Sequence, residues 1–128
     1  MSNPLVQRLI SALNSHDLDA VTACFAPDFH AEWPAHPSRD IQGPEQVRRN
    51  WEMIFKMSPD ITIEMTNSVE VGEETWGEWH YTKAAGQELR GVIVVTVRDG
   101  LIRRSRFYME PVDGPDAATP GGPRLARD

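Results

Sequence analysis

The sequence predicts an α+β domain, with helices gathered at the front of the chain and strands at the back. Two observations carry this expectation. Up to Phe55, three stretches repeat apolar residues at helical spacing, broken by one short alternating segment. From Ile61 to Pro111 the pattern switches to alternation, interrupted by turn residues at hairpin intervals.

The first helix is expected in "NPLVQRLISALNSH", where Leu5, Val6, Leu9, Ile10 and Leu13 share one face. Asn3 is placed to cap it, and Pro4 suits its first turn. A second begins after Asp17, another capping residue, with Leu18, Val21, Cys24 and Phe25 as its stripe and Pro27 as its stop. "DFHAEW" alternates, which puts Phe29, Ala31 and Trp33 on one face and His30 and Glu32 on the other. "PAHPSRDIQG" reads as a loop. The third helix, "GPEQVRRNWEMIFKMS", starts at Pro44 and aligns Val47, Trp51, Ile54 and Phe55.

Four strands in an antiparallel meander follow. In "DITIEMTNSVEV" the alternation sets Ile61, Ile63, Met65, Asn67, Val69 and Val71 on the inner face. "TWGEWHYTKA" is an aromatic-rich strand whose phase is open. Either Trp79 and Tyr81 face inward with Gly77, or Trp76, Glu78 and His80 do; the first choice buries less charge. "LRGVIVVTVR" and "LIRRSRFYME" are joined by Asp99-Gly100, a tight-hairpin signal. The residues up to 112 are therefore expected to form one domain. Those from 113 to 128, rich in Pro and Gly with little to bury, are expected to be a flexible tail.

Composition narrows the function. The chain has 128 residues, 40% of them hydrophobic and 25% charged, which is globular composition. A formal charge of −6 argues against nucleic acid as a partner, despite the small basic patch in "RDGLIRRSR". Its one cysteine, Cys24, excludes an internal disulfide and a thiolate-rich metal cluster. There is neither a signal-peptide pattern nor an apolar run long enough to span a bilayer, so a cytoplasmic protein with no membrane partner is expected. Metal binding by His30, Glu32 and His36 would need three convergent ligands, and the strand delivers two at most on one side. Neither a metal nor a cofactor is expected.

The element order, with "ALNSHDLDAVTACFAPDF" at the front and "VTVRDGLIRRSRFYMEPV" at the back, resembles the SnoaL-like, nuclear-transport-factor-2-like superfamily. The resemblance covers roughly Leu5 to Val112. It implies a cystatin-like cone, in which a curved mixed or antiparallel sheet wraps on three N-terminal helices and a pocket opens between them. It also implies a range of possible activities, because the superfamily holds ketosteroid isomerases, polyketide cyclases, epoxide hydrolases, dehydratases and proteins that only bind.

The family's acid and base positions can be followed residue by residue. The ketosteroid isomerase base, which precedes a proline at the end of the first strand, falls on Trp33. Their oxyanion tyrosine falls on Leu9 and their second oxyanion donor on Ile93. The polyketide cyclase acid and histidine fall on Phe107 and Ile93, and the epoxide hydrolase acid again on Phe107. None of these four side chains can move a proton.

Binding residues are therefore expected to form an apolar, aromatic lining. The set comprises Leu9, Trp33, Trp51 and Phe55; Met65 and Trp79; and Ile93, Val95, Ser105, Phe107 and Met109. The same residues could instead simply fill the cone. Candidates for displaced catalysis are His36, Asn67, Tyr81, and Glu78 with His80. Each has a plainer reading, such as a solvated loop histidine for His36 or a backbone-satisfying amide for Asn67. Three functions stay open. One is a protein that binds a hydrophobic small molecule, and another is an isomerase, lyase or cyclase with non-standard residues. The third is a partner-binding scaffold. Arg90, Arg104, Arg106 and Tyr108 share the outer phase of the last two strands, which suits the homodimer common in this family.

Overall fold

The structure, a computed structural model, describes residues 3–83 and 86–113. The expected tail lies outside the described residues from position 114 onward. Among the described residues, three α-helices pack on one mixed, open six-stranded sheet of order β2-β1-β6-β5-β4-β3. The helices are α1 (Pro4–Asn14), α2 (Leu18–Thr22) and α3 (Gly43–Met57). The strands are β1 (Phe25–Glu32), β2 (Ile41–Gln42), β3 (Thr62–Val71), β4 (Glu74–Thr82), β5 (Glu88–Arg98) and β6 (Leu101–Pro111). This is the α+β cone the sequence predicts. Among the described residues no helix is long and apolar enough to cross a membrane.

Capping follows the sequence. The Asn3 side chain accepts the Leu5 N–H at 2.8 Å, and Asp17 accepts that of Ala20 at 3.1 Å. The second helix is shorter than its stripe implies. It ends at Thr22, and β1 already starts at Phe25, so Pro27 sits inside a strand. It is tolerated because the parallel β1–β6 ladder is interrupted between Phe25 and His30, where no N–H is required. A short 3₁₀ turn, Pro37–Arg39, and strand β2 organise the segment expected to be a loop.

The end of α1 is tied to the sheet by Asn14. Its amide donates to the Ile63 carbonyl and accepts the Ile63 N–H, both at 2.8 Å, so one side chain completes the start of β3 as a neighbouring strand would. The β5–β6 connection is the expected two-residue turn. Asp99 and Gly100 have φ of 56° and 75°, both left-handed, as a type I′ hairpin demands.

One strand departs from simple alternation. Met65 pairs with Trp79, but Asn67 pairs with Glu78, so Thr66 is an extra residue bulged out of β3. Before the bulge Ile61 and Ile63 are buried as expected. After it the phase inverts, and Asn67, Val69 and Val71 are exposed on the outer face rather than inside. The open phase of β4 resolves cleanly: Thr75, Gly77, Trp79 and Tyr81 are buried, while Trp76 and Glu78 are exposed.

Candidate functional site

A cavity of about 320 Å³ lies between the inner face of the sheet and helices α1 and α3. α1 supplies Leu9 and Leu13, on successive turns of its buried face; α3 supplies Val47, Trp51 and Ile54. Alternate residues of the strands complete the wall: Phe29 and Ala31 from β1, Ile93 and Val95 from β5, Ser105 and Phe107 from β6. Trp79 and Tyr81 close it from β4, and Trp33 from the residue after β1.

Burial varies around this wall. Leu9, Phe29, Trp79, Ile93 and Ser105 are buried, whereas Trp33, Ile41, Leu89 and Phe107 are half-buried and Arg39 and Asn50 are exposed. The cavity therefore runs from a closed apolar interior to an open rim. Its rings are ordered: Trp33 stacks on Phe107, and Trp51 leans on Tyr81 with centroids 5.8 Å apart. The Arg39 guanidinium carbon lies 4.9 Å from the centroid of the Trp33 ring, on its face.

Polar groups inside are few. Burial pushes the Tyr81 phenol well above its ordinary value, so it stays a neutral hydroxyl. Neither that hydroxyl nor the one on Ser105 has a hydrogen-bond partner among the described residues. The Trp79 indole N–H is buried without a partner among the described residues, close to where Met65 and Gly77 meet.

The structure thus brings Leu9, Trp33, Trp51, Trp79, Tyr81, Ile93, Val95, Ser105 and Phe107 to one cavity. Three residues expected there lie outside its lining. Phe55 instead stacks on His16, centroids 4.1 Å apart and planes within 7°. Met65 is half-buried beside Gly77, where a Cβ would come within 2.5 Å of its sulfur. Met109 is fully buried in the core opposite Gly91, further along β6.

The polar candidates go elsewhere. Asn67 is exposed and donates to the Glu78 carboxylate at 2.6 Å; the β3 bulge turns Asn67 to the outer face, where the alternation of β4 puts Glu78. His80 also faces outward, 2.9 Å from Glu88 and 3.7 Å from Glu64. Its hydrogen bond is the main reason the Glu88 carboxyl is held below its usual range. His36 lies outside the lining, with Nε2 2.8 Å from the Glu110 carboxylate. Glu32 accepts Arg104 on the outer face, so His30, Glu32 and His36 do not converge.

Sequence reasoning missed Arg39, Asn50 and Lys83. Lys83 had a usable signal, since it continues the Trp79, Tyr81 alternation by one more step. Arg39 had a weaker one, a lone cation two residues after Pro37 in a loop returning toward Trp33.

Comparison with known proteins agrees with this architecture. The SnoaL-like domain family matches over residues 6–105. Among solved structures, "putative polyketide cyclase" from Sinorhizobium meliloti is 22% identical, with a TM-score of 0.73, over 85% of this chain and 95% of that one. "Putative ketosteroid isomerase" from Kribbella flavida is also 22% identical, with a TM-score of 0.71, over 87% and 78% of the two chains. A SnoaL-like protein of unknown function from Burkholderia thailandensis is 24% identical, with a TM-score of 0.66, over 88% and 99%. No curated protein matches. At these identities the solved structures establish the fold and nothing of the chemistry. With the family matched over most of its length and the helix-on-sheet cone observed, this chain belongs to the SnoaL-like domain family.

Proposed function

We propose that this chain is a small-molecule-binding protein whose ligand is an apolar cyclic compound held in the aromatic cavity. One observation carries the reading: among the described residues, no carboxylate and no imidazole lines the cavity. Abstracting a proton requires a base within hydrogen-bond reach of the substrate. His36, Glu78 and His80, the ionisable candidates, all lie outside the lining. Leu9, Trp33, Ile93 and Phe107, which stand where the resemblance puts the acids and bases of three family chemistries, all lie within it. Removing charge from those positions favours burial of flat apolar rings, and each well-placed aromatic contact contributes about 0.5–1.5 kcal/mol beyond area burial.

A second reading, a cyclase or isomerase acting on a hydrophobic ring, is favoured by the Tyr81 hydroxyl alone. It is a neutral donor inside the cavity with no partner among the described residues, suited to polarise a carbonyl. A donor without a base supports half of a proton-transfer mechanism, so binding is the stronger reading.

Trp33, Trp51 and Trp79 line the cavity, so intrinsic fluorescence reports on occupancy. Titration with small steroids and fused aromatic compounds is expected to quench it saturably, and native mass spectrometry to show one ligand per chain. An unquenched signal across the panel, with no retained mass, would mean that the cavity is not a ligand site. Turnover of a ketosteroid by the unmodified protein would overturn the binding reading in favour of the enzyme.

A further inference from the structure

The charges around the cavity do not follow those of the chain. The sequence carries 19 acidic residues against 13 basic ones, yet the charged residues in the lining are Arg39 and Lys83, both cationic. Among the described residues Arg48, Arg90, Arg98, Arg103, Arg104 and Arg106 each meet a carboxylate, whereas Arg39 and Lys83, like Arg8, Arg49 and Lys56 away from the cavity, meet none. The acids near the rim are engaged elsewhere. Asp40 accepts the Trp33 N–H at 2.8 Å, Glu110 takes His36, and Glu88 takes His80 and Arg90.

Arg39 is also held in place. It closes the 3₁₀ turn that begins at Pro37, and its guanidinium lies on the face of Trp33, which in turn stacks on Phe107. A cation held over a ring face makes no hydrogen bond there, so the guanidinium N–H groups stay available to an acceptor. The Lys83 main chain is fixed beside β4 and β5, where its backbone N–H donates to the Gln87 carbonyl at 2.9 Å. Among the described residues, two unpaired cations thus border an apolar, ring-lined cavity that has no negative group of its own.

We propose that the ligand is an apolar cyclic carboxylic acid, its ring stacked in the cavity and its carboxylate held at the rim by Arg39 and Lys83. This rests on the binding reading above and names the chemical class of its ligand. In the interior, the unpartnered hydroxyls of Tyr81 and Ser105 would receive a ring oxygen, a ketone or hydroxyl at the far end of the molecule from the acid.

A matched pair separates the two ideas. Calorimetric titration of the full chain with 2-naphthoate and with its methyl ester compares the same ring with and without the charge. The acid is expected to bind about tenfold to a hundredfold more tightly than the ester. That preference should shrink at high salt, where exposed charges are screened. Arg39→Gln and Lys83→Gln should each narrow the acid-to-ester ratio, and the double variant should bring it near unity. Equal binding of acid and ester, or tighter binding of the ester, would overturn the carboxylate proposal and leave a neutral-ligand site standing. An acid preference unchanged in the double variant would overturn the assignment to Arg39 and Lys83. Binding of neither compound would count against both the carboxylate and the ligand site itself.

Discussion

Trp33 and Phe107 lie face to face, with ring centroids 4.8 Å apart and planes within 7° of parallel. One directly follows the first strand and the other sits mid-way along the last, so the contact closes the cavity across the parallel β1–β6 pair. The resemblance places an isomerase base at one of these positions and a cyclase or hydrolase acid at the other. Here the pair is a stacked apolar wall.

Trp33→Asp would restore a carboxylate to the position of the isomerase base. It should weaken binding of apolar rings by about tenfold, through loss of both area and stacking. It should not create an isomerase, because Leu9 and Ile93, at the family's oxyanion positions, still offer no donor there, and the Tyr81 hydroxyl comes from a different strand. Fluorescence titration and a ketosteroid assay, run on the same preparation, check both halves. Isomerase activity in the variant would show that another group already supports the oxyanion.

Gly77 and Gly91 should respond differently to alanine. At Gly77 an added Cβ meets the Met65 sulfur at 2.5 Å and Trp79 Nε1 at 3.2 Å, and the Met65 side chain can swing away. The cost should be about 1 kcal/mol, with altered Trp79 emission. At Gly91 the Cβ would stand 2.0 Å from the Tyr108 carbonyl oxygen, which is backbone and cannot yield. Gly91→Ala should cost more than about 2 kcal/mol in urea unfolding. Equal costs at the two sites would contradict this distinction.

Alkaline titration probes the burial of Tyr81. An unfolded phenol ionises near pH 10, whereas burial raises the folded one. Above about pH 10 the unfolded state therefore releases its proton first, and stability falls as pH rises. Below that pH Tyr81 contributes no slope. Tyr81→Phe should reduce the alkaline loss, measured as urea midpoint against pH, leaving a share from the buried Cys24 thiol, which burial also raises; an unchanged slope would mean that Tyr81 reaches solvent.

The outer sheet face is expected to bury itself against a second copy of the chain. Val69, Trp76 and Tyr108 are exposed there, and the Arg106 guanidinium lies 5.8 Å over the Trp76 ring and 3.7 Å from Glu74. Sedimentation at micromolar concentration should give a homodimer, and Arg106→Glu, which sets two carboxylates together, should dissociate it. A monomeric wild type would end this expectation.

The hairpins and the fold were legible because their signals are local. Asp99-Gly100 dictates its turn, and the Asn3 and Asp17 caps begin their helices where the sequence puts them. The phase of β4 required more than alternation, since either face could have held an aromatic. Trp79 and Tyr81 bury large rings without charge, which is why they face inward. The bulge at Thr66 left no mark, because an extra residue in a strand changes register without changing composition. Asn67 was misplaced for that reason alone. Phe55 was misplaced for another: its partner, His16, lies in a turn with φ of 54°, and helical periodicity says nothing about such a position.

The parallel β1–β6 pair also fixes when the cavity can exist. The Arg104–Glu32 contact across it joins residues 72 positions apart, and Ser105 and Phe107 supply one wall. During synthesis, β1 leaves the ribosome long before its neighbour and waits with that edge unpaired. Meanwhile the β3–β4 and β4–β5 hairpins can zip from their turns. Closing so long a loop is a modest entropic cost, rising by only about 0.6 kcal/mol per doubling, but it slows folding relative to local pairing. No ligand can find its complete site on a nascent chain that stops short of β6, so binding competence arrives with the last strand.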